Sequence, residues 1–397
     1  MDFFKESLKL HKKYQGKIEV ISKIDVQTTN DLSLVYSPGV AEPCIKIAKN
    51  QEKVWDYTLK SNTVAIVSDG SAVLGLGNIG PYAAIPVMEG KAMLFKKFAG
   101  INGFPICLDT EDTEEIIRTV RLIAPVFGGI NLEDIAAPKS FEIEERLQDL
   151  GIPVFHDDQH GTAIVVMAGL INACKVVNKR FEDLVVVVNG AGAAGVAIAK
   201  MLRCINFPGN QCTSVKEILL CDSRGVIHKG RNDLNESKLE LLTFSNPHNK
   251  VGSVKDALVG ADVFIGVSVA NLLTANDIKK MNKDAIIFAL ANPVPEIMPA
   301  EAYLGGAAVV GTGRSDLPNQ VNNVLGFPGV FRGALDAKAK VISPGMKLAA
   351  AHAIAKCVKN PQRDCVIPPC LSLEVAQEVA KAVKKTALKE MEIKQKK

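Results

Sequence analysis

Short apolar stretches alternate with longer stretches of mixed polarity along most of the chain. This alternation is the pattern of β-α-β units, which predicts mostly parallel sheets. The predicted strands are residues 18–24, 63–68, 104–109, 126–131, 152–155, 185–189, 217–221, 262–267, 285–290 and 307–310. The predicted helices are 81–98, segments that begin at Asp112 and Lys139, and residues 164–177, 348–358 and 373–387.

We therefore predict an α/β protein of two domains. The 397 residues are enough for two or three domains, and the alternating pattern restarts after Lys179. We expect an N-terminal α/β domain with a mostly parallel sheet over 1–157 and a Rossmann-type dinucleotide-binding domain over 158–322. The helical segment 323–397 is expected to pack back on the first domain.

Carboxylates follow the predicted strands of the first block. They are Asp69, Asp109, the pair Glu133 and Asp134, and the pair Asp157 and Asp158. Because the carboxyl ends of parallel strands share one edge, this row of oxygen ligands suits a hard cation such as Mg²⁺ or Mn²⁺. The alternatives are a helix cap at one Asp of the last pair and an exposed turn at Glu133 and Asp134. Two adjacent carboxylates repel each other, so the last pair requires a cation or a base nearby.

Two further residues are candidates for proton transfer. Lys91 lies among small and apolar residues on the helix predicted over 81–98. Most such lysines extend to solvent, whereas burial would lower the pKa of Lys91 and nearby carboxylates would raise it. Tyr36 begins a loop rich in proline and glycine, where a core or hydrogen-bonding role and a catalytic role both remain open.

A glycine motif opens the second block. Directly after the apolar strand 185–189, the chain reads Gly190, Ala191, Gly192, Ala193, Ala194, Gly195 and continues as a helix. A strand, three spaced glycines and a helix together are typical of dinucleotide binding, with the pyrophosphate at the helix N-terminus. A plain tight turn is the alternative.

The end of the next strand bears on the choice of dinucleotide. Asp222 follows residues 217–221 and could hold the ribose hydroxyls of NAD. Ser223 and Arg224 beside it could instead hold the 2′-phosphate of NADP. The sequence leaves both cofactors open and slightly favours NADP.

Composition excludes several other classes of protein. The chain is 47% hydrophobic and 23% charged, with a net charge of +4, a single Trp and few other aromatic residues. We therefore expect no nucleic-acid partner. The sequence has no uninterrupted apolar run near the roughly 20 residues of a membrane span, and the first ten residues include acids, so we expect a cytoplasmic protein without a membrane partner. The nine cysteines, mostly in apolar contexts, are predicted to be buried reduced thiols.

These motifs resemble those of malic enzymes of the small-subunit, bacterial type. The matching blocks are residues 35–40, 89–92, 131–134, 156–162, 190–195, 291–293 and 322–329. The resemblance implies oxidative decarboxylation of L-malate to pyruvate and CO₂, with NADP or NAD and with Mg²⁺ or Mn²⁺. It also implies a homodimer, for which the apolar segment 3–10 is a candidate contact.

The resemblance also implies roles for individual residues. Lys91 would be the base and Tyr36 the acid, while Asp157 would keep Lys91 oriented. The metal ligands would be Glu133, Asp134 and Asp158, and Asn292, Asn322 and Asn323 would contact the substrate or the nicotinamide.

One position departs from the larger animal-type enzymes, which carry a substrate-binding arginine where this chain has Ala72. Which group replaces that arginine is not evident from the sequence. Two other functions remain open: a 2-hydroxy-acid dehydrogenase that does not decarboxylate, and a non-catalytic regulator that binds a dinucleotide.

Overall fold

The computed structural model describes residues 2–73, 75–207 and 212–395. Met1, Leu74, residues 208–211 and the last two residues therefore lie outside the described residues. The strands are β1 Thr63–Ser68, β2 Asn102–Cys107, β3 Gly129–Leu132, β4 Val154–His156, β5 Val185–Asn189, β6 Glu217–Asp222, β7 Gly225–Val226, β8 Val263–Gly266, β9 Ala285–Ala289 and β10 Ala307–Thr312. The α-helices are α1 Phe3–Tyr14, α2 Thr29–Val35, α3 Ala41–Lys49, α4 Val54–Tyr57, α5 Gly80–Ala99, α6 Thr113–Ile123, α7 Lys139–Arg146, α8 Asp157–Val177, α9 Ala193–Leu202, α10 Glu236–Leu241, α11 Val254–Ala257, α12 Ala275–Ile278, α13 Pro299–Leu304, α14 Phe327–Asp336, α15 Pro344–Lys356 and α16 Leu373–Gln395.

The strands form two separate sheets, as the alternating pattern predicts. The first has the order β2-β1-β3-β4 and is parallel throughout. The second has the order β10-β9-β8-β5-β6-β7, and only β7 runs antiparallel to its neighbour. Strand order reverses at β5, which lies between β6 and β8. Ligands of open α/β sheets bind at such a reversal, beyond the carboxyl ends of the strands.

The apolar strands are buried because helices cover both faces of the sheets. Every residue of β1 is buried, as is every residue of β9. A strand covered on both faces has no polar side, which explains why these segments read as continuous apolar runs rather than alternating ones. Two predicted strands, 63–68 and 185–189, match the observed bounds of β1 and β5.

Helix α8 connects the two sheets through the interior. It is long and apolar enough to cross a membrane by length and composition, but 67% of its apolar window is buried inside the fold. Burial of this kind is typical of a core helix. The sequence predicted that the helix would begin near residue 164, whereas it begins at Asp157 and includes both aspartates in its first turn.

The C-terminal segment returns to the first sheet, as predicted. The ring of Phe95 on α5 lies 4.8 Å from that of Phe327 and 5.3 Å from that of Phe331, both on α14, with edge-on geometry. Arg332 of α14 donates a hydrogen bond of 2.5 Å to the side-chain oxygen of Asn62, just before β1. These contacts join the last part of the chain to the first domain.

The prediction of a strand over 18–24 is wrong. This segment has no strand structure, and its apolar side chains are exposed, with Val20 81% and Ile21 75% accessible. Its β-branched residues favour extended backbone, but a strand also needs a neighbour for its ladder hydrogen bonds. No described strand lies beside it.

The prediction that all cysteines are reduced is also wrong for one pair. Cys204 and Cys212 form a disulfide, with their Cα atoms 5.7 Å apart. Cys204 lies just after the end of α9 at Leu202, and Cys212 lies in the segment that leads into β6. Of the seven remaining thiols, Cys174 and Cys221 are buried and Cys44 and Cys365 are exposed.

We predict that Phe95→Ala destabilises the protein by about 3–5 kcal/mol, because the ring is fully buried between α5 and α14. Urea unfolding followed by circular dichroism measures this loss. The control Leu122→Ala, at a side chain that is 70% exposed on α6, should stay within about 0.5 kcal/mol of the wild type. Equal midpoints for the two variants would contradict the packing described here.

Candidate active site

Four carboxylates meet where β3 and β4 end. Glu133 and Asp134 follow β3, and Asp157 and Asp158 form the first turn of α8 directly after β4. The backbone N–H of Asp134 donates to Oδ2 of Asp158 at 2.8 Å, so the two strand ends are tied together. The positive end of the α8 dipole also favours negative charge at its first turn.

Three of these residues are arranged as a candidate cation site. One oxygen each from Glu133, Asp134 and Asp158 lies within 4.8 Å of the others. Oxygens that share a hard cation lie about 2.0–2.6 Å from it, so they can be separated by up to about 4–5 Å from one another. The ligand chemistry and the spacing therefore fit Mg²⁺ or Mn²⁺.

Lys91 reaches this cluster from α5. Its Nζ lies 2.5 Å from Oδ2 of Asp157 and 2.8 Å from Oε1 of Glu133. The side chain is only 7% exposed, and its ammonium lies 4.2 Å from the centre of the Phe327 ring. Of the two alternatives that the sequence left open for this lysine, extension to solvent is therefore wrong.

The pKa values reflect burial and the excess of negative charge. Burial alone would lower the pKa of Lys91, but the attraction of Asp157, Glu133 and Asp158 outweighs it and raises this pKa. Burial raises the pKa of Asp157 to about 7, against the attraction of Lys91, and that of Asp158 to about 6. An ion pair alone would lower the pKa of Asp157. Because the carboxylates of Asp157, Glu133 and Asp158 surround one amine, Lys91 is an ammonium in this state.

The other carboxylates of the predicted row do not join the cluster. Asp69 is buried but pairs with Lys139, whose Nζ is 2.6 Å from its Oδ2, and it also accepts hydrogen bonds from Ser71. Asp109 is exposed. The sequence therefore predicted the correct edge of the sheet, but not which carboxylates point to a common centre.

The predicted asparagines take different positions. Asn323 lies beside Asp157, and its side chain hydrogen-bonds that carboxylate, which lowers the pKa of Asp157 against the effect of burial. Both residues approach Gly161, since a Cβ there would be 1.8 Å from Asp157 Oδ1 and 3.1 Å from Asn323 Cβ. Asn322 instead accepts a hydrogen bond from the backbone of Val324 at 2.9 Å. Asn292 follows β9 at a cis bond to Pro293, and its amide donates to the carbonyl of Leu290 at 3.3 Å. The geometry thus places Asn323 beside the lysine cluster.

The predicted acid, Tyr36, is not buried. The residue is 68% exposed, and within the part of the chain that the structure describes its phenol makes no hydrogen bond, whereas its backbone N–H donates to the carbonyl of Leu32 at 2.9 Å. It ends α2 and precedes a cis bond between Ser37 and Pro38. Of the two alternatives left open for Tyr36, a role in the core of its own subunit is therefore wrong.

Sequence reasoning missed two contributors to the site. Asn131 is fully buried in β3 and donates to Oε2 of Glu133 at 2.9 Å, which fixes that carboxylate. Phe327 supplies the ring beside the Lys91 ammonium. An amide inside an otherwise apolar strand, two residues before an acid, is a usable signal for Asn131, since buried polar groups need partners. The sequence offers no comparable signal for Phe327.

The glycine motif has the expected strand-turn-helix geometry. Gly190 has a φ of 118°, which favours glycine, and Gly192 is the N-cap of α9. A Cβ at Gly195 would lie 1.7 Å from the carbonyl oxygen of Gly190, so only glycine permits this close approach. Ala193 and Ala194 form the first turn of α9, whose N–H groups are free to face a pyrophosphate.

A cavity of about 730 Å³ runs from this loop to the end of β6. Gly190 and Gly192 line one end, and Asp222, Ser223 and Arg224 line the other. This brings the residues predicted for the pyrophosphate and for the adenosine ribose into one space. A doubly wound sheet with such a cavity, together with a lysine and carboxylate centre, defines a nicotinamide-dinucleotide oxidoreductase.

Comparisons with known proteins identify the particular family. Residues 15–148 match the family model of the malic enzyme N-terminal domain, and residues 159–388 match that of the malic enzyme NAD binding domain. The chain belongs to the malic enzyme family. Its activity is the NAD(P)-dependent oxidative decarboxylation of malate. The family matches thus confirm the function implied by the resemblance.

Individual relatives match along nearly the whole chain. A bifunctional malic/malolactic enzyme of Bacillus subtilis is 57% identical over 98% of this chain and 94% of its own length. An NAD-dependent malic enzyme of Geobacillus stearothermophilus is 55% identical over 94% of this chain and 77% of its own length. The crystal structure of an NAD-dependent malic enzyme from Thermotoga maritima superposes with a TM-score of 0.91 at 49% identity, covering 96% of this chain and 99% of that one. Other relatives are NADP-dependent.

We predict that Gly195→Ala lowers both the melting temperature and dinucleotide binding, because the new Cβ would collide with the Gly190 carbonyl. Gly192→Ala is the matched control for folding, since a Cβ there meets no atom within 4 Å. Thermal unfolding with and without NADP⁺ measures both effects, because a ligand that binds the native state raises the melting temperature. An unchanged melting temperature for Gly195→Ala would contradict the close approach.

Proposed function

We propose that the lysine and carboxylate cluster is the malate site of this enzyme, with the roles that the sequence predicted. The observation that carries the proposal is the pair of short contacts from Lys91 to Asp157 and Glu133, because they join the candidate base to the candidate cation site. Asp157 is then a positioning residue that holds the Lys91 amine. Glu133, Asp134 and Asp158 are the cation ligands.

A divalent cation at these ligands would act as a Lewis acid and stabilise negative charge that develops on the substrate oxygens. The bound dinucleotide supplies the hydride acceptor. The choice of Mg²⁺ or Mn²⁺ is supported by the all-carboxylate ligand set. It is also supported by charge, because four carboxylates outnumber one ammonium in the cluster. A divalent cation would offset two of the remaining negative charges.

Lys91 would take the proton of the malate C2 hydroxyl as the C2 hydride leaves, which gives oxaloacetate. An ammonium cannot do this, so the proton on Lys91 must first be lost. The same carboxylates that raise its pKa would attract it less if a cation shared their charge. Asp157 remains beside the amine and can keep it directed at the substrate.

Decarboxylation then breaks the bond between C3 and C4, and the electron pair stays on the enolate of pyruvate. Tyr36 would donate a proton to C3 as general acid, which completes pyruvate. Asn323, beside Asp157, is the best placed of the three asparagines to contact the substrate. Asn292 and Asn322 are proposed to face the substrate or the nicotinamide at the ends of β9 and of the loop before α14.

The exposure of Tyr36 leads us to propose a homodimer in which this residue completes the partner's site. No residue of α1, α2, α3 or α4 is buried, although these helices carry large apolar side chains. Among them Phe4 is 83% and Leu34 75% exposed. Exposed apolar surface of this extent is typical of an interface. A second copy would cover it and would shield the Tyr36 phenol from bulk water.

We retain the proposed domain bounds of 1–157, 158–322 and 323–397 and the proposed cytoplasmic location. The match to the N-terminal domain ends at residue 148, and the match to the NAD binding domain begins at residue 159, which supports the first boundary. Free thiols at seven of the nine cysteines are typical of a reducing compartment, although the pair Cys204 and Cys212 is not.

The test of the proposed site is turnover of L-malate with NADP⁺ or NAD⁺, with Mn²⁺ present or chelated. We expect pyruvate, CO₂ and reduced cofactor, and loss of all three on chelation. Oxidation that survives chelation without release of CO₂ would favour the non-decarboxylating dehydrogenase. Dinucleotide binding without turnover would favour the regulator. Since the Bacillus subtilis relative is a bifunctional malic/malolactic enzyme, lactate should be measured as well.

We predict that Glu133→Gln lowers Mn²⁺ affinity and malate turnover by about 10²-fold or more, because it removes one charged ligand and one partner of Lys91. Calorimetric titration of Mn²⁺ and steady-state kinetics measure the two losses. Glu142→Gln is the matched control, since Glu142 is exposed on α7 and pairs with Arg146. Unchanged Mn²⁺ binding in Glu133→Gln would remove Glu133 from the ligand set.

We predict that Lys91→Ala and Tyr36→Phe each lose about 10²- to 10⁴-fold in turnover, and that mixed dimers of the two variants regain activity. If Tyr36 serves the partner's site, each mixed dimer has one site with both wild-type residues and one site with neither. A randomly reassorted mixture should then reach about one quarter of wild-type activity. If the mixture stays as inactive as the separate variants, Tyr36 acts within its own subunit.

A further inference from the structure

Side chains tie together the ends of three neighbouring strands of the second sheet. The amide of Asn189, the last residue of β5, donates to Oγ of Ser268, just beyond the end of β8, at 2.5 Å. One carboxyl oxygen of Glu296 accepts the backbone N–H of Ser268 at 2.9 Å, and the other accepts that of Ala291, just beyond β9, at 3.0 Å. Glu296 therefore joins the end of β8 to the end of β9.

Glu296 is fully buried, and the neighbouring strand makes room for it. The residue has no solvent exposure. A Cβ at Gly266, the last residue of β8, would lie 2.4 Å from the carboxyl carbon of Glu296, so any larger residue there would displace the carboxyl group. The backbone carbonyl of Glu296 also accepts the N–H of Leu273 at 3.0 Å. The carboxyl group is thus held in place through both its side chain and its backbone.

The carboxyl group of Glu296 carries a negative charge that no cation of the described chain offsets. Backbone N–H groups donate to both of its oxygens, and such donors stabilise the ionised form. Burial raises the pKa of Glu296, and backbone hydrogen bonds alone oppose this effect, since no charged side chain of the described residues acts on the group. A neutral carboxyl would need an acceptor for its proton, whereas both oxygens face donors. An unpaired buried carboxylate is costly and is therefore unexpected in a purely structural role.

The carboxylate of Glu296 lies behind the wall of the cofactor cavity. Asn189 and Ser268 line that cavity together with the glycine loop, and Asp222 lines it on the side of β6. Strand order reverses at β5, and a dinucleotide bound across such a reversal has its two halves on opposite sides of it. Since the adenosine half belongs to the side of β6, the nicotinamide half belongs to the side of β8 and β9, whose ends Glu296 joins.

The two redox states of the cofactor differ in charge at the nicotinamide ring. This ring is a cation in the oxidised dinucleotide and becomes neutral when it accepts a hydride. A fixed anion near the ring therefore attracts the oxidised form more strongly than the reduced form. The effect is larger away from water, because the effective dielectric constant is lower there.

We propose that Glu296 is a positioning residue of the nicotinamide site, and that its negative charge makes the protein bind oxidised dinucleotide in preference to reduced dinucleotide. In the oxidation of malate, this preference favours entry of the oxidised cofactor and release of the reduced cofactor after hydride transfer. The inference deepens the proposed function. It rests on that function only for the orientation of the dinucleotide, with its pyrophosphate at the glycine loop.

The test compares Glu296→Gln, which removes the charge and keeps the side-chain length, with Glu296→Asp, which keeps the charge and shortens the side chain. Calorimetric titration with NADP⁺ and NADPH, and with NAD⁺ and NADH, gives the ratio of affinities for the oxidised and reduced forms. Glu296→Gln should lower this ratio about tenfold, mainly through weaker binding of the oxidised form. Glu296→Asp should weaken both forms and leave the ratio within about threefold of the wild type.

Glu301→Gln is the matched control. The Glu301 carboxylate also accepts a backbone N–H, that of Ala275 at 3.1 Å, but it lies outside the residues that line the cavity. This variant should change neither affinity. A fall of both affinities by the same factor in Glu296→Gln would show a structural role alone and would overturn the proposal, as would unchanged affinities.

If Glu296→Gln does not fold, the wild type and Glu296→Asp still decide the outcome. Tighter binding of the oxidised form in both proteins would support the proposal, and tighter binding of the reduced form by the wild type would overturn it. The titration needs neither malate nor a metal, so its result is separate from that of the turnover assay. A lowered ratio in Glu296→Gln without malate turnover by the wild type would refute the proposed malate site alone. Turnover with an unchanged ratio would refute the role of Glu296 alone.

Discussion

The structure depends on one buried ammonium that is surrounded by carboxylates. Removing an amine or a carboxylate from water costs several kcal/mol per ion, and this cost is offset only where opposite charges lie close together. Lys91 is therefore tolerable on α5 only because Asp157 and Glu133 reach it from two other elements, at 2.5 and 2.8 Å. Those elements must in turn be held in register by the first sheet. The parallel order of β1, β3 and β4 does this by bringing the ends of β3 and β4 to one edge.

The C-terminal segment takes part in the same constraint. Phe327 at the start of α14 covers the ammonium, and Phe331 one turn later packs on Phe95 from the helix that carries Lys91. Gly161 in α8 has no side chain where Asp157 and Asn323 approach it, so the loop before α14 can close on the aspartate. The return of the chain to its first domain thus both buries apolar surface and completes the surroundings of the lysine.

Sequence patterns predicted the features that depend on local periodicity. The strands at 63–68 and 185–189 and the helix over 81–98 follow from continuous apolar runs and from glycine or proline at their ends. Periodicity cannot say whether a segment finds a partner, which explains the error at 18–24. The disulfide of Cys204 and Cys212 depends on the two cysteines lying close together in the fold, and nothing in their separation of 8 residues predicts that proximity.

The site shows the same division between local and long-range information. The rule that ligands lie at the carboxyl ends of strands correctly predicted that Glu133, Asp134 and Asp158 share one edge of the sheet. It could not predict that Asp69, at the same edge, lies outside their cluster. That separation depends on Lys139, which lies on α7 and pairs with Asp69 at 2.6 Å. Likewise, the sequence could not show that Asp222 is hydrogen-bonded to Arg231 and Lys238, which lie 9 and 16 residues further along the chain. Which partner a charged group finds is a property of the folded chain.

The Lys91 cluster and the cluster of Asp222 and Asp233 with Arg224, Arg231 and Lys238 have opposite charge balances, and this difference bears on what each can bind. Around Lys91, the carboxylates of Glu133, Asp134, Asp157 and Asp158 outnumber one cation, and burial raises the pKa values of Asp157 and Asp158 against the attraction of Lys91. Around Asp222, three cations face two carboxylates, and the pKa of Asp222 falls. An excess of buried negative charge favours a divalent cation, and an excess of positive charge at a cavity wall favours a phosphate. Because aspartates occupy both places, residue type alone cannot assign a ligand, and the charges that surround each aspartate must be counted as well.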